Sequence, residues 1–222
     1  MTPQPVRIAV ELPAGPAEVS GLWSASAQSH ATVALAHGAG AGMEHPFLVG
    51  LADALTADGV AVLRFVFPYV EAGRRMPGPA AHAVATWRGV EAWLAAHAPG
   101  DYTAVGKSYG GRMASVAAAE GAIAPARLVY LGYPLHPPGR PDKPRSAHLP
   151  AISVPQLFVE GANDPFIDPR GQFDEVVASC QDARVRWVDG GNHSFEVKGA
   201  RRPAEQIGAG LAGVVGAFAG GR

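Results

Sequence analysis

The segment Gly106-Lys107-Ser108-Tyr109-Gly110-Gly111 places a hydroxyl between glycines two residues before and two after it, directly ahead of a run suited to a helix. Small residues at that spacing let a strand and a helix close on a strained turn that projects the serine outward. A serine hydroxyl is a weak nucleophile at neutral pH, so it needs an imidazole to take its proton and a carboxylate to hold the imidazole's tautomer. His193, in Asp189-Gly190-Gly191-Asn192-His193-Ser194-Phe195, is the only histidine beyond the candidate acids. Asp164, in Gly161-Ala162-Asn163-Asp164-Pro165-Phe166, is the favoured carboxylate, and Asp168, ahead of Pro169, competes with it. Ser108, Asp164 and His193 thus read as nucleophile, acid and base, while Asp189 reads as a residue that shapes the turn before His193.

Acyl transfer also needs N–H donors for a developing oxyanion. His37-Gly38-Ala39-Gly40-Ala41-Gly42 offers a run of small residues whose backbone can approach a carbonyl unobstructed. The amides of Ala39 and Tyr109 are the expected pair, with Gly40 as the fallback to Ala39. His37 reads as a hydrogen-bonded structural residue. Neither G-x-x-x-x-G-K-[ST] nor a dinucleotide fingerprint is present, which argues against nucleotide binding. The aromatic and basic stretch from Arg64 to Arg75 should lie over the site. There Arg74 and Arg75 read either as part of a solvated loop or as a clamp for an acidic substrate group. Lys107 reads as a packing stem with a wet head or as an orienting group beside the serine. Trp87, Trp93 and Trp187 read as core or helix–sheet contacts, and Cys180 as an inert core thiol.

These residues need a frame that brings distant segments together. Eight short runs rich in β-branched and aromatic residues have strand character: Val6–Leu12, Val19–Ser24, Thr32–Ala36, Val60–Phe65, Thr103–Val105, Arg127–Leu131, Gln156–Val159 and Arg184–Val188. The first two are joined by a Pro-Gly-Pro turn and suit an antiparallel hairpin, whereas the others lack strict alternation, as expected of parallel strands buried on both faces. Helical segments are expected at Pro46–Ala57, Ala80–Ala96, Tyr109–Glu120, Gly171–Ser179 and Pro203–Phe218. Their alternation predicts an α/β architecture, a mostly parallel eight-stranded sheet with helices on both faces and functional residues beyond the carboxyl ends of its strands. The proline-rich connection from Gly132 to Val154 reads as an ordered loop too short for a lid domain.

Composition narrows the function classes. The chain has 222 residues, 48% hydrophobic and 17% charged, which fits one domain spanning 1–222 and excludes wholesale disorder. A net charge of −1 gives no global field for nucleic acid. One cysteine excludes an intrachain disulfide and thiol-rich metal sites, and a cytoplasmic location is expected. The proline-interrupted N-terminus does not resemble a leader, and the glycine-diluted run Ile207–Gly221 reads as a packing helix rather than a membrane span.

The combined phrases His37-Gly38-Ala39-Gly40, Leu63–Tyr69, Gly106–Gly111, Gly132-Tyr133-Pro134-Leu135-His136-Pro137-Pro138 and Gly161–Phe166 resemble the testis-expressed and NSL-complex-subunit-3 hydrolase-like family, a group related to dienelactone hydrolases. The resemblance implies an α/β-hydrolase fold and a triad. Dienelactone hydrolases use a cysteine where this chain has Ser108, so their lactone substrate is not implied. Some relatives serve as parts of protein complexes. The first expectation is a serine hydrolase that cleaves a small soluble ester or thioester through an acyl-enzyme, needing no cofactor or metal. The second is a hydrolase-fold interaction module.

Overall fold

The structure, a computed structural model, describes residues 2–221. Its elements are β1 (Gln4–Leu12), β2 (Gly15–Ser24), β3 (Ala31–Ala36), α1 (Pro46–Ala57), β4 (Val60–Phe65), α2 (Pro68–Glu71), α3 (Ala80–His97), β5 (Thr103–Lys107), α4 (Tyr109–Ala119), β6 (Arg127–Leu131), β7 (Gln156–Gly161), α5 (Arg170–Ser179), β8 (Ala183–Val188), α6 (Ala204–Ala209) and α7 (Ala212–Ala219). The strands form one sheet in the order β1-β2-β4-β3-β5-β6-β7-β8. β2 pairs antiparallel with both β1 and β4, and every other pairing is parallel. This is the α/β-hydrolase sheet with its N-terminal hairpin, and no lid domain interrupts the described residues.

The central strands are apolar without alternation because each face meets a helical layer. Val33 and Leu35 of β3 point toward Phe47, Leu51, Leu55 and Val215 of α1 and α7. Ala34 and Ala36 point the other way, into the cluster that holds Phe65, Trp87, Met113, Phe158 and Phe173. Burying one such large side chain is worth roughly 1.5–3 kcal/mol, so the two clusters fix the order and register of the strand ends that carry the site.

Three expectations need correction. β8 alternates between half-buried and exposed residues, with Arg184 and Arg186 facing solvent, because it is an edge strand that α5 covers on one side. The single helix expected over Pro203–Phe218 is two, α6 and α7, interrupted at Gly210 and Leu211. Glycine is a poor helix former there, and α6 is committed to α1: a Cβ on Gly208 would lie 1.9 Å from the Phe47 carbonyl oxygen. The basic stretch after β4 contains the one-turn helix α2, which was not foreseen. Trp87 is buried in the core, and the half-buried Trp93 and Trp187 make the expected helix–sheet contacts, Trp93 with Trp23 of β2 and Trp187 with Phe173 of α5, with the Arg170 guanidinium 3.9 Å from the Trp187 ring. The Gly132–Val154 connection is irregular, as expected, except for a 3-10 turn at Leu149–Ala151. Cys180 is half-buried, with its thiol donating to the Val176 carbonyl. No described helix is long and apolar enough to cross a membrane.

Candidate active site

Ser108 sits between β5 and α4 with φ 49° and ψ −112°, in a backbone region that a side chain-bearing residue occupies only under constraint. Two neighbours make the turn possible. A Cβ on Gly106 would lie 2.1 Å from the Gly111 nitrogen, and one on Gly110 would lie 2.6 Å from the His37 carbonyl oxygen. The Ser108 amide donates to the Leu131 carbonyl at 3.0 Å, which fastens the elbow to β6.

His193 follows β8 and reaches across to the serine. Its Nε2 lies 2.9 Å from Ser108 Oγ, and its Nδ1 lies 2.6 Å from Asp164 Oδ2. With Nδ1–H donating to the carboxylate, Nε2 is left to accept from the hydroxyl. Asp164 is buried behind the imidazole, and its other oxygen accepts from the Phe166 amide at 2.8 Å. The Phe166 ring covers the imidazole at a centroid distance of 4.1 Å. Burial is the main cause that moves His193 below its usual pKa. The Asp164 hydrogen bond opposes that shift, and the nearby Lys107 charge adds to it. Asp168 is exposed and makes no contact with His193, so Asp164 is the carboxylate that faces the imidazole. Asp189 and Gly190 form the turn before His193, closed by the Gly191 amide on the Val188 carbonyl at 3.0 Å, and Asn192 Oδ1 accepts from the Ser194 and Glu196 amides just beyond it.

A second polar layer lies beneath this chain. Lys107 Nζ donates to the His193 carbonyl at 2.8 Å and lies over the Phe195 ring. Burial lowers Lys107 to about 8, against the pull of Glu160 and Asp164. Glu160, at the end of β7, is fully buried and accepts from the Tyr133 amide at 2.6 Å through one oxygen. Its other oxygen has no partner among the described residues, and burial pushes its carboxyl well above the usual range.

Ser108 and His193 open onto a cavity of about 800 Å³ that Ala39, Lys107 and Tyr109 also line. Among the described residues neither the Ala39 nor the Tyr109 amide has an acceptor. The Gly40 amide instead faces the buried Tyr69 hydroxyl, whose pKa is pushed up to about 12, chiefly by burial. His37 is buried, bonded through Nδ1 to the Gly38 carbonyl at 2.8 Å while Nε2 accepts from the Phe67 amide at 3.2 Å, and so it holds this loop against the end of β4.

Arg74 and Arg75 are not brought to the cavity. Gly73, with φ 69°, ends α2 in a tight turn in which the Arg74 amide donates to the Tyr69 carbonyl at 2.8 Å, and both arginines are exposed. The guanidinium groups in the cavity wall are those of Arg112 and Arg145, which were not singled out from the sequence. The signal for Arg112 was its position one helical turn after Ser108; Arg145, in the irregular connection, offered none.

A family model described as an alpha/beta hydrolase domain matches residues 29–208. The chain belongs to that family. The hydrolase domain is similar to the esterase domain of a Rhodothermus marinus protein, with 16% identity over 98% of each chain and a TM-score of 0.71. It is also similar to a dienelactone hydrolase from Anabaena variabilis, with 23% identity over 97% of this chain and 96% of that one and a TM-score of 0.73. An α/β serine hydrolase without a lid, from Xanthomonas campestris, is similar over 97% of this chain and 94% of its own, at 20% identity and a TM-score of 0.70. At these identities the likeness is one of fold.

Proposed function

We propose that this chain is a serine hydrolase acting on a small soluble ester or thioester through an acyl-enzyme. The observation that carries this reading is the continuous hydrogen-bonded chain from Ser108 Oγ through His193 to Asp164, ending at an open cavity. Ser108 Oγ attacks the carbonyl carbon while His193 Nε2 takes the hydroxyl proton, and the carbonyl oxygen becomes the oxyanion. The Ala39 and Tyr109 amides donate to it. Collapse breaks the bond to the alcohol or thiol, which leaves with the proton from His193. Water then attacks the acyl-serine, passes its proton to His193, and releases a carboxylic acid as Ser108 regains its hydroxyl. Asp164 holds the Nδ1–H tautomer and balances the imidazolium in both halves. Nothing in this sequence of steps calls on a metal or cofactor.

The lowered pKa of His193 supports the reading, because it leaves the imidazole neutral and able to accept a proton at pH 7. The whole chain acts as one catalytic unit in a reducing, cytoplasmic compartment, and the phrases set out above align it with the testis-expressed and NSL-complex-subunit-3 branch. A fluorophosphonate probe followed by intact mass measurement tests the reading. One adduct is expected on the wild type and none on Ser108→Ala or His193→Ala. Folded wild-type protein that takes no adduct overturns catalysis and leaves the interaction-module reading.

A further inference from the structure

The cavity that holds Ser108 and His193 has a strongly one-sided charge. Arg112 and Arg145 both line it, and the only acidic residue in its wall, among the described residues, is the exposed Glu196, which accepts from Asn192 Nδ2 at 3.1 Å. The arginines that pair with carboxylates are elsewhere: Arg7 with Glu18 and Glu71, Arg140 with Asp142, Arg170 with Asp174. Neither Arg112 nor Arg145 has a side-chain hydrogen bond among the described residues.

Arg112 is part-buried, and its Nε is cut off from solvent without an acceptor. The charged or ionisable groups near it are Tyr109, Tyr133, Arg145 and His148, and burial with the Arg145 charge lowers its pKa. A guanidinium that served only to pack would be expected to satisfy its donors on carbonyls, since a dehydrated donor without an acceptor is costly. Its distance from the chemistry is set by α4. The Arg112 amide makes the first helical hydrogen bond, to the Ser108 carbonyl at 3.0 Å, so the two residues are about 6 Å apart along the axis. Arg145 comes from a different segment and is held by its backbone. Its amide donates to the Leu135 carbonyl at 2.7 Å, and the buried Tyr133 hydroxyl donates to its carbonyl at 2.8 Å.

We propose that Arg112 and Arg145 form an anion-binding subsite beside Ser108, which makes the preferred substrate an ester or thioester bearing a carboxylate or phosphate roughly one helical turn from the scissile bond. The proposal rests on the hydrolase reading of the same site. The planar forks of two guanidinium groups match the paired oxygens of either anion, and the part-buried Arg112 with the exposed Arg145 exchange mutual repulsion for two charge-assisted hydrogen-bond sets when the anion arrives.

The test compares kcat/KM for charged esters and their neutral counterparts: monomethyl glutarate against dimethyl glutarate, per ester group, for the carboxylate, and glycerol 1-acetate 3-phosphate against glycerol 1-acetate for the phosphate. About a tenfold or greater preference for the charged member of at least one pair is expected. That ratio should fall toward one in Arg112→Met and Arg145→Met and recover in part in Arg112→Lys. No preference in either pair overturns the subsite, as does a preference that survives both methionine variants, because a merely structural arginine lowers both members of a pair alike. Fluorophosphonate labelling of the same preparation separates the two failures. An adduct without charge preference removes only the subsite, whereas folded protein without an adduct removes the hydrolase reading beneath it.

Discussion

Lys107 donates a 2.8 Å hydrogen bond to the main-chain carbonyl of His193, tying the residue before the proposed nucleophile to the proposed base across β5, β6 and β7. In the proposed mechanism Lys107 would act as a positioning residue, and its charge adds to the burial that lowers the His193 pKa. Replacing it by methionine keeps the stem and removes both effects. Lys107→Met should lower kcat roughly 10- to 100-fold with KM little changed, because the loop that aims His193 loses an anchor. The pH profile of kcat/KM distinguishes this from simple damage. The wild-type acid limb should lie below 6.5, the ordinary imidazole value, and it should move to higher pH in Lys107→Met as a neighbouring positive charge disappears.

Asp164→Asn replaces the acceptor of the 2.6 Å bond to His193 Nδ1 with an amide that favours the wrong tautomer. Activity toward an ester should drop about 1,000-fold or more, with the folded structure retained. Asp168→Asn, which alters an exposed side chain, should stay within about twofold of wild type. Initial rates for the two variants, measured in parallel, decide the matter.

The positive φ of Ser108 carries a cost that only glycine escapes. Ser108→Gly should be more stable than Ser108→Ala by roughly 1–2 kcal/mol, although both lack the hydroxyl and both should be inactive. Urea unfolding midpoints of the two variants, with equal slopes, measure the difference.

Glu160 is a carboxyl whose folded pKa is raised well above 4.5 by burial. The folded protein therefore retains a proton that the unfolded chain gives up, and stability from this group falls as pH rises from 4.5 toward the folded value. Glu160→Gln cannot lose that proton, yet it keeps the oxygen that accepts from the Tyr133 amide. The stability of Glu160→Gln relative to wild type should therefore rise as the pH is raised above about 5, read by chemical denaturation at each pH.

Much of this was legible because it is local. The glycines around Ser108 announce a tight strand-to-helix turn, and the apolar runs of β3 to β7 announce strands covered on both faces. What sequence reading missed depends on contacts between segments. β8 carries the same β-branched residues as the inner strands, but its lack of a further neighbour turns Arg184 and Arg186 outward, and their alternation was the available signal. Arg74 and Arg75 pointed to the site by position alone, whereas the turn at Gly73 decides their direction. That turn depends on Tyr69, which packs on His37 at 5.8 Å, a contact between two loops far apart in the chain.

The placement of β8 has one further effect. It is the terminal strand of the sheet, paired only to β7 and half-exposed along its length, while Ser108 hangs from strands deep in the core. Elements with one hydrogen-bonded neighbour and little apolar cover open at lower free energy than the body of a fold. A fluctuation that unzips β8 carries His193 away and leaves the elbow, the core and most of the sheet intact. On this account foldedness and the proposed competence should be separable. Mild warming would silence a population of chains whose central amides still resist hydrogen exchange, and cooling would restore them without any refolding of the core.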